Sequence, residues 1–435
     1  MKVCKFGGSS VANANQFRKV KAIVESDPER KIVITSAAGK EQKSDNKMTD
    51  LLYLIHAHLE YSVSYESLFE MVSSKLIGIR DELGLSIQIE EKLDALKKEL
   101  KKGISKDYLV SRGEYLTALL LADYLRYPFV DASEVMCFHY NGNIDMANTE
   151  RALLAKMNEH PRMVIPGFYG CMPDGQIRVM TRGGSDITGS VAARIANADV
   201  YENWTDVSGI LMADPRIIDH PKWIDVVTYA ELRELSYMGA NVLHEDAILP
   251  VKEVNIPIII KNTNAPEDPG TMIVDVVEHD EKKNLITGIS GKTDFTSYTM
   301  YRQNSSSQVG ILKSALEVFE KYQISVEHVP TGIDNFSIVV SSSAIERCKY
   351  EIASNLKIAC QCDSLKIAEN ISLIAIVGRN MASQCGAGGR LFNTLGQHGI
   401  NIRMISQGSD EISIFVGVEN KDFKKAIRVI YDEFC

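Results

Sequence analysis

Lys2-Val3-Cys4-Lys5-Phe6-Gly7-Gly8-Ser9-Ser10 (residues 2–10) begins with a short run that has apolar residues at positions 3, 4 and 6, and it ends in a glycine loop. The run predicts a strand over Lys2 to Phe6, and the loop then leads into a helix that begins near Asn15. Glycines let a backbone approach a phosphate, N–H groups at such a turn point toward it, and Lys5 adds a positive charge. The loop is not a Walker A loop, and a simple strand-to-helix turn accounts for its glycines equally well.

Further apolar runs alternate with helical stretches as far as about residue 280. This pattern is typical of an α/β fold, in which helices cover both faces of a mostly parallel sheet, and ligands bind such sheets at the carboxyl ends of the strands. The other predicted strands are Lys31 to Thr35, Met163 to Pro166, Val200 to Glu202 and Pro257 to Lys261.

An internal repeat follows the turn-rich segment Asn264 to Gly270. Each predicted element of its first copy recurs 76 positions later without a gap, which indicates two copies of one βαββ module. The first copy predicts a strand at Ser297 to Gln303, a helix from Gly310 through Tyr322, and strands at Ile324 to Val326 and Phe336 to Val340. The second predicts a strand at Leu373 to Arg379, a helix at Gly386 to His398, and strands at Ile400 to Ile402 and Ile412 to Val416.

The glycines of Gly386-Ala387-Gly388-Gly389 resemble a dinucleotide fingerprint, but the third glycine of that motif is missing. The repeat unit is also too short for half of a Rossmann domain. We therefore interpret these glycines as a tight strand-to-helix turn.

Composition excludes several functional classes. The formal net charge is −9, and no Lys/Arg block with interleaved aromatic residues is present, so nucleic acid is not an expected partner. The chain enters its first strand without a signal-peptide pattern, so we expect a cytoplasmic protein without a membrane segment. Of the eight cysteines, only Cys360 and Cys362 are close, at a spacing that suits neither a redox nor a zinc site, so we expect free buried thiols.

The most informative run is Thr181-Arg182-Gly183-Gly184-Ser185-Asp186, which opens a predicted helix. Arg182 can grip a carboxylate with its forked guanidinium, and a helix N-terminus favours anions. Asp186 either orients the substrate or Lys5, or it caps the helix. Ser36, at the end of the second strand, can donate to a phosphate or a carboxylate.

Two more loops carry candidate binding groups. Trp204 to Ile210 and Ala213 to Arg216 form a pair of turns suited to a purine nucleotide, whose phosphates Arg216 would contact. Ser111-Arg112-Gly113-Glu114 is predicted to open a helix, where Glu114 either pairs with a substrate ammonium group or complements the helix dipole.

Together these runs resemble the aspartokinase family of the amino-acid-kinase fold over essentially the whole chain. The resemblance implies transfer of the γ-phosphoryl group of ATP to the β-carboxylate of L-aspartate, the first step of lysine, threonine and methionine biosynthesis. Lys5, Arg182 and Asp186 would then be the catalytic residues. ATP would be held by Lys5, Gly7, Gly8, Ser9, Thr205, Asp206, Asp214 and Arg216, with Mg²⁺ bridging the phosphates and no all-protein metal site. Aspartate would be held by Ser36, Thr49, Glu114, Phe168, Arg182, Ser185 and Asp186.

The duplicated module resembles the paired, ferredoxin-like ACT domains of these kinases, which bind end-product amino acids and pair strands between subunits. The implied domains are a kinase domain at residues 1–280, a first ACT domain at 297–367 and a second at 281–296 plus 368–435. The segment from Val326 to Asp334 resembles the lysine-sensitive monofunctional class, so we expect inhibition by lysine and a homodimer or tetramer. The effector would be held by Met300, Ser307, Gly310, Ile311, Val326 and Glu327, although Glu327 is alternatively a plain surface strand residue.

Two positions depart from the family pattern: Asn241 replaces a family lysine near the nucleotide, and Leu211 replaces a frequent aromatic residue. Either Arg216 or Lys261 would compensate for the missing charge, or nucleotide binding there is arranged differently. The missing lysine also motivates an alternative function, that of an amino-acid sensor that binds its ligand and oligomerises but has no catalytic activity. Other kinases of this fold act on glutamate, acetylglutamate, carbamate or nucleotides, but we expect none to carry the paired modules. Fusion to a homoserine dehydrogenase is not expected, because no Rossmann domain follows Cys435.

Overall fold

A computed structural model of the chain describes residues 1–42, 44–180, 183–239, 243, 245–277, 284–303, 305–382, 384–408 and 410–435, and only the backbone of residues 245 and 307. Within these residues no helix has both the length and the apolar character needed to cross a membrane. The chain divides into two compact units. The first comprises Met1–Ile210, Asp225–Tyr229 and Asn241–Val277, and the second comprises Leu211–Ile224, Ala230–Ala240 and Glu278–Cys435.

The strands and helices of the described residues follow one another along the chain. The strands are β1 Lys2–Phe6, β2 Arg30–Thr35, β3 Met163–Pro166, β4 Tyr169–Cys171, β5 Ile177–Val179, β6 Val200–Thr205, β7 Ile210–Leu211, β8 Trp223–Ile224, β9 Val226–Thr228, β10 Ile258–Asn262, β11 Thr271–Val274, β12 Gly288–Tyr301, β13 Asn335–Ser341, β14 Ser364–Val377, β15 Met404–Gln407 and β16 Ser413–Glu419. The helices are α1 Ala14–Glu25, α2 Met48–Glu60, α3 Glu66–Leu83, α4 Ile89–Glu99, α5 Lys106–Leu125, α6 Ala132–Val135, α7 Met146–Glu159, α8 Gly184–Ile195, α9 Tyr229–Tyr237, α10 Leu249–Lys252, α11 Ile311–Lys321, α12 Ser342–Ile345, α13 Lys349–Ala359, α14 Ala387–Gln397 and α15 Phe423–Phe434.

The first unit is built on a seven-stranded sheet in the order β3-β2-β1-β6-β10-β11-β9. Its pairs are parallel except for β10 with β11, so the α/β prediction is confirmed. All five strands predicted from apolar runs belong to this sheet. Four of the five residues of β1 and all four of β3 are buried, which explains why these strands read as continuous apolar runs.

Helices cover both faces of the sheet. Successive strand residues point to opposite faces. Phe6 and Trp204 belong to an apolar cluster that also contains buried residues of α1, α2, α3, α4 and α5. On the other face, Tyr201 packs so closely on α8 that a Cβ added to Gly189 would lie 2.5 Å from the tyrosine hydroxyl.

The second unit contains a five-stranded antiparallel sheet in the order β13-β12-β14-β16-β15. The repeat is visible in its helices, because α11 and α14 begin 76 residues apart. Each follows a glycine in the left-handed region, with φ of 88° at Gly310 and 90° at Gly386. Gly388 and Gly389 lie in the first turn of α14, and the connection from the end of β14 at Val377 includes a 3₁₀ turn at Arg379–Ala382, so it is longer than the tight turn that the sequence predicted.

The strands predicted at residues 324–326 and 400–402 are wrong. Ile324 and Ile400 are buried, but no strand covers either segment, and the first regular strand after the second segment is β15. Each segment follows a left-handed residue, Gln323 or Gly399, that turns the chain back from the helix. The apolar side chains therefore anchor a turn rather than a strand.

All eight cysteines are free, as predicted, but only Cys4, Cys360 and Cys362 are buried. The prediction of buried thiols is therefore wrong for the other five, which lie closer to the surface.

Candidate functional site

Lys5, Asp186 and Asn203 form a charged group at the carboxyl end of the first unit's sheet. Lys5 lies on β1 and is 7% exposed, while Asp186 lies in the first turn of α8. The Lys5 Nζ atom lies 2.6 Å from Asp186 Oδ1 and 3.5 Å from Asn203 Oδ1. The Asn203 amide donates to the same Asp186 oxygen at 2.9 Å. The structure thus pairs two predicted residues directly, and a third residue, Asn203, which the sequence analysis missed, contacts both of them.

Asp186 does not cap α8, so that interpretation is wrong. The N-cap is Gly183, with a φ of 77° and no side-chain capping bond. Asp186 lies two residues further into the helix than Gly184, and its carboxylate bonds to Lys5 and Asn203 instead. Arg182, the predicted carboxylate clamp, lies outside the described residues.

The glycine loop after β1 contacts the loop after β2. The Gly39 N–H donates to Gly8 O at 2.8 Å, and a Cβ added to Gly39 would lie 2.4 Å from the Gly8 carbonyl carbon. Glycine is therefore required at residue 39 for close approach of the two backbones. Lys75 of α3, which the sequence analysis missed, donates to Gly39 O at 2.6 Å and fixes the second loop from outside.

A cavity of about 870 Å³ opens between these loops and the N-terminus of α8. Most of the residues predicted to bind aspartate and the phosphates line it. The predicted residues that line the cavity are Lys5, Gly8, Ser9, Ser36, Thr49, Glu114, Phe168, Ser185, Asp186 and Asp206. Lining residues that the sequence analysis missed include Lys40, Lys47, Asp50, Tyr53 and Met180.

Two predicted nucleotide residues of the first unit do not line this cavity. Gly7 donates its N–H to Trp204 O at 2.9 Å, which ties the glycine loop to β6. Thr205 ends β6 and donates to Asp206 Oδ1 at 3.2 Å. Both therefore support neighbouring groups of the cavity.

Glu114 is a buried carboxylate facing the cavity. Helix α5 begins at Lys106 and is capped by Ser105, so Glu114 lies in the helix interior and the helix-dipole interpretation is wrong. Its residue is 5% exposed, and Oε2 has no hydrogen-bond partner among the described residues. Burial raises the pKa of Glu114 to about 8. An orphaned carboxylate of this kind is suited to a ligand cation.

The loop after β3 also lines the cavity, through Phe168. Phe168 has a φ of 79°, a strained conformation for an aromatic residue, and its N–H donates to Thr188 Oγ1 at 3.1 Å. A Cβ added to the preceding Gly167 would lie 2.6 Å from Ser185 Cβ. The sequence analysis missed Gly167, although its position directly after the buried β3 is a signal for close backbone approach.

Asp214 and Arg216 lie in the second unit. The Arg216 guanidinium lies 2.6 Å from Asp214 Oδ2, and its side chain is 88% exposed. Hydrogen bonds from Arg216 lower the pKa of Asp214. The structure therefore shows these two predicted residues as a local ion pair.

The predicted effector residues also lie in the second unit. Met300 is fully buried in β12, which pairs with β13 on one side and β14 on the other, so the structure does not expose this residue to a ligand. Ile311 is buried in the same core and Val326 packs against it, while the side chain of Ser307 lies outside the described residues. Glu327 accepts a hydrogen bond from the Tyr237 hydroxyl and lies outside regular strands, so it is not a plain strand residue.

Comparisons with known proteins give one family. Residues 1–262 match the model of the amino acid kinase family, and residues 374–434 match that of the ACT domain. Aspartokinase 3 of Bacillus subtilis is 35% identical, with 100% of this chain aligned to 98% of that protein.

Solved structures agree with this family. The crystal structure of Clostridium acetobutylicum aspartate kinase is 45% identical, with a TM-score of 0.94 over 100% of this chain and 99% of that one. Escherichia coli aspartokinase III in complex with aspartate and ADP is 25% identical, with a TM-score of 0.75 over 100% of this chain and 99% of that one. The chain therefore belongs to the aspartokinases, within the amino acid kinase family.

Proposed function

We propose that the chain transfers the γ-phosphoryl group of ATP to the β-carboxylate of L-aspartate, producing 4-phospho-L-aspartate. The observation that carries this proposal is one cavity that holds a buried cation, Lys5, and a buried carboxylate, Glu114, whose Oε2 atom has no hydrogen-bond partner among the described residues. An amino-acid substrate has an ammonium group for the carboxylate, and a nucleotide has phosphates for the cation. The Escherichia coli relative bound aspartate and ADP in its crystal structure.

Glu114 would bind the α-ammonium group of aspartate. Binding supplies the partner that Oε2 lacks, so the cost of burying the charge is offset only when the ligand is present. Ser36, Thr49, Phe168 and Ser185 line the same cavity and would enclose the rest of the substrate. Arg182 is proposed as the clamp of one substrate carboxylate, from its guanidinium chemistry alone.

Lys5, together with Gly7, Gly8 and Ser9, would hold the β- and γ-phosphates. The acceptor carboxylate is already ionised at neutral pH, so the reaction needs no general base. Its main barrier is repulsion between two anions, which a fixed cation lowers. Asp186 already bonds to Lys5 and Asn203, and we assign it the orientation of Lys5.

Magnesium bound with ATP would neutralise charge on the phosphates. Magnesium in such sites is held by the phosphates and one or two carboxylates. The Asp206 carboxylate lines the same cavity as Gly8 and Ser9, so the residues present fit this ion.

Thr205, Asp206, Asp214 and Arg216 would complete the nucleotide site. Lys261 donates to Asp268 O and lies 5.7 Å from the centre of the Trp204 ring, so its ammonium group is already engaged. Arg216 is itself paired with Asp214, so either cation would have to give up a bond to replace the charge of the lysine that Asn241 replaces.

Lysine is the proposed inhibitor, bound in the first ACT domain. The proposed domains are residues 1–280, 297–367 and 281–296 with 368–435, and the pairing of β12 with β14 along both copies supports this division. Gly310, in the left-handed region, begins α11 and leaves N–H groups for an effector carboxylate, and Glu327 would hold an effector ammonium. We further propose a cytoplasmic homodimer that associates through its ACT domains, with a tetramer as the larger alternative.

A hydroxylamine trap for acyl phosphate tests this function. Hydroxamate should form only when ATP and aspartate are both present. When lysine, threonine and methionine are each added separately, lysine should inhibit hydroxamate formation most. Glutamate in place of aspartate is the matched control. Absence of hydroxamate with aspartate would support a sensor without activity, and equal rates with glutamate would contradict the assigned acceptor.

A further inference from the structure

We infer that Asn203 is a positioning residue for phosphoryl transfer, which holds the Asp186 carboxylate in place when the Lys5 ammonium group turns from Asp186 to the phosphates. The inference rests on the proposed kinase function. It adds a residue that neither the sequence pattern nor the comparisons assign.

The Asn203 side chain bridges Asp186 and Lys5. Its residue is 3% exposed, and its Nδ2 donates to Asp186 Oδ1 at 2.9 Å. Lys5 Nζ lies 2.6 Å from the same carboxylate oxygen, and the side-chain amide oxygen of Asn203, Oδ1, lies 3.5 Å from Lys5 Nζ. The Asn203 side-chain amide therefore donates a hydrogen bond to the Asp186 carboxylate and offers its oxygen as an acceptor to the Lys5 ammonium group.

Strand pairing fixes this arrangement. Lys5 of β1 is paired with Asn203 of β6 in parallel register, so both side chains point to the face covered by α8. The Tyr201 hydroxyl, on the same face of β6, donates to the Asp186 backbone oxygen at 3.2 Å. Strand β6 thus holds both the backbone and the side chain of Asp186, independently of Lys5.

The charge balance explains why an amide is useful here. A Lys5–Asp186 pair without a third group would leave a poorly hydrated carboxylate whenever Lys5 moved to the phosphates, and such a carboxylate would draw the ammonium group back. Asn203 keeps one hydrogen bond on Asp186 in both arrangements. It adds no charge that would compete with the phosphates for Lys5.

Asn203→Asp gives the sharpest test, because it keeps the shape of the side chain. Among the described residues, the titratable groups facing residue 203 are Lys5 from β1, Asp186 from α8 and Tyr201 on its own strand, while its paired neighbour on β10 is the apolar Ile260. Two adjacent carboxylates cannot both ionise easily, so one binds a proton at mildly acidic pH. The protonated aspartic acid can donate to Asp186 as the amide does, whereas the ionised form attracts Lys5 and cannot donate.

The experiment compares hydroxamate formation by the Asn203→Asp variant and the wild type from about pH 6 to pH 8.5. The ratio of the two kcat values should rise by a factor of about ten or more as the pH falls, as expected for a charge-assisted hydrogen bond restored by protonation. Asn203→Leu should lower kcat by a similar factor at every pH, with little change in the KM for aspartate. Glu202→Gln, on the opposite face of β6, is the control: it breaks a buried pair with Arg30 and should lower the melting temperature without a pH-dependent kcat ratio.

Melting curves at each pH establish whether each variant is folded. If the Asn203→Leu variant does not fold, the isosteric Asn203→Asp variant still provides the test. A wild type without aspartate-dependent activity would refute the proposed function instead. An active wild type, with a kcat ratio for Asn203→Asp that does not change with pH, would overturn the inference about Asn203.

Discussion

Glu114→Gln removes the buried negative charge of the cavity and keeps the size of the side chain. Burial raises the pKa of Glu114 from an ordinary 4.5 to about 8, so the folded protein favours the protonated form. The contribution of this group to the free energy of unfolding is therefore largest below pH 4.5 and is lost as the pH rises through about 8. At about 1.4 kcal/mol per pKa unit, the loss is on the order of 5 kcal/mol. The glutamine variant has no proton to lose and should be the more stable protein above pH 8.

Aspartate binding by the wild type should become tighter as the pH rises, whereas the stability of the wild type should fall. Aspartate needs the ionised Glu114, so binding near pH 7 releases a proton from the free enzyme, and the wild-type KM for aspartate should fall by about fifty-fold between pH 6 and pH 8. The glutamine variant should lose this pH dependence. Its KM at pH 8 should exceed that of the wild type by about a hundred-fold, the value of a strong hydrogen bond to a charged group.

The assays are urea unfolding near pH 6 and near pH 8.5, and hydroxamate formation against aspartate concentration at the same two pH values. Glu91→Gln, exposed on α4, is the matched control and should change neither quantity. The reasoning is refuted if the Glu114→Gln variant is less stable than the wild type at the higher pH and binds aspartate equally well.

Three further substitutions test other parts of the site. Lys5→Ala should lower kcat by about a hundred-fold or more with little change in the KM for aspartate, because a fixed cation acts mainly on the transition state, and near-normal turnover in steady-state kinetics would contradict this role. Gly39→Ala places a methyl group 2.4 Å from the Gly8 carbonyl carbon. It should cost about 1–3 kcal/mol, and an unchanged melting temperature would show that the loops do not need this contact. Burial and the Glu327 carboxylate raise the pKa of the Tyr237 hydroxyl, which stays a donor that competes with an effector ammonium group. Tyr237→Phe should therefore lower the lysine concentration for half inhibition about fivefold, and weaker inhibition would show that Tyr237 helps to bind lysine.

The strands of the first sheet were predictable because burial on both faces leaves continuous apolar runs. The start of α5 was not, because Ser111 and Gly113 resemble a helix start, whereas Ser105 is the actual cap. The helix continues through the glycine because Gly113 packs on the loop after β2, where an added Cβ would lie 3.1 Å from Ala37 Cβ. The close packing of Gly113 on Ala37 is visible only in the folded structure, not in the sequence.

Groups of the site that depend on pairing between distant segments were also missed. Asn203 is a polar residue in a buried strand, and its position next to Lys5 follows from a register between residues 198 positions apart. Glu114 carried a local signal, and the sequence predicted it as a candidate. Its burial, and the absence of a partner for Oε2 among the described residues, follow only from the packing of α5.

The long strands β12 and β14 each contain 14 residues, and they pair from Gly288 with Val377 to Tyr301 with Ser364. The register shifts between Lys292 and Ser297, so a ribbon of about 45 Å, at about 3.4 Å per residue, runs through both copies of the repeat with an irregularity between them. No tether separates the copies, so neither can rotate freely against the other. If residues 373–435 were produced alone, the strand at residues 373–377 would lack its β12 partners at residues 288–292, and we expect such a fragment to self-associate through this exposed edge.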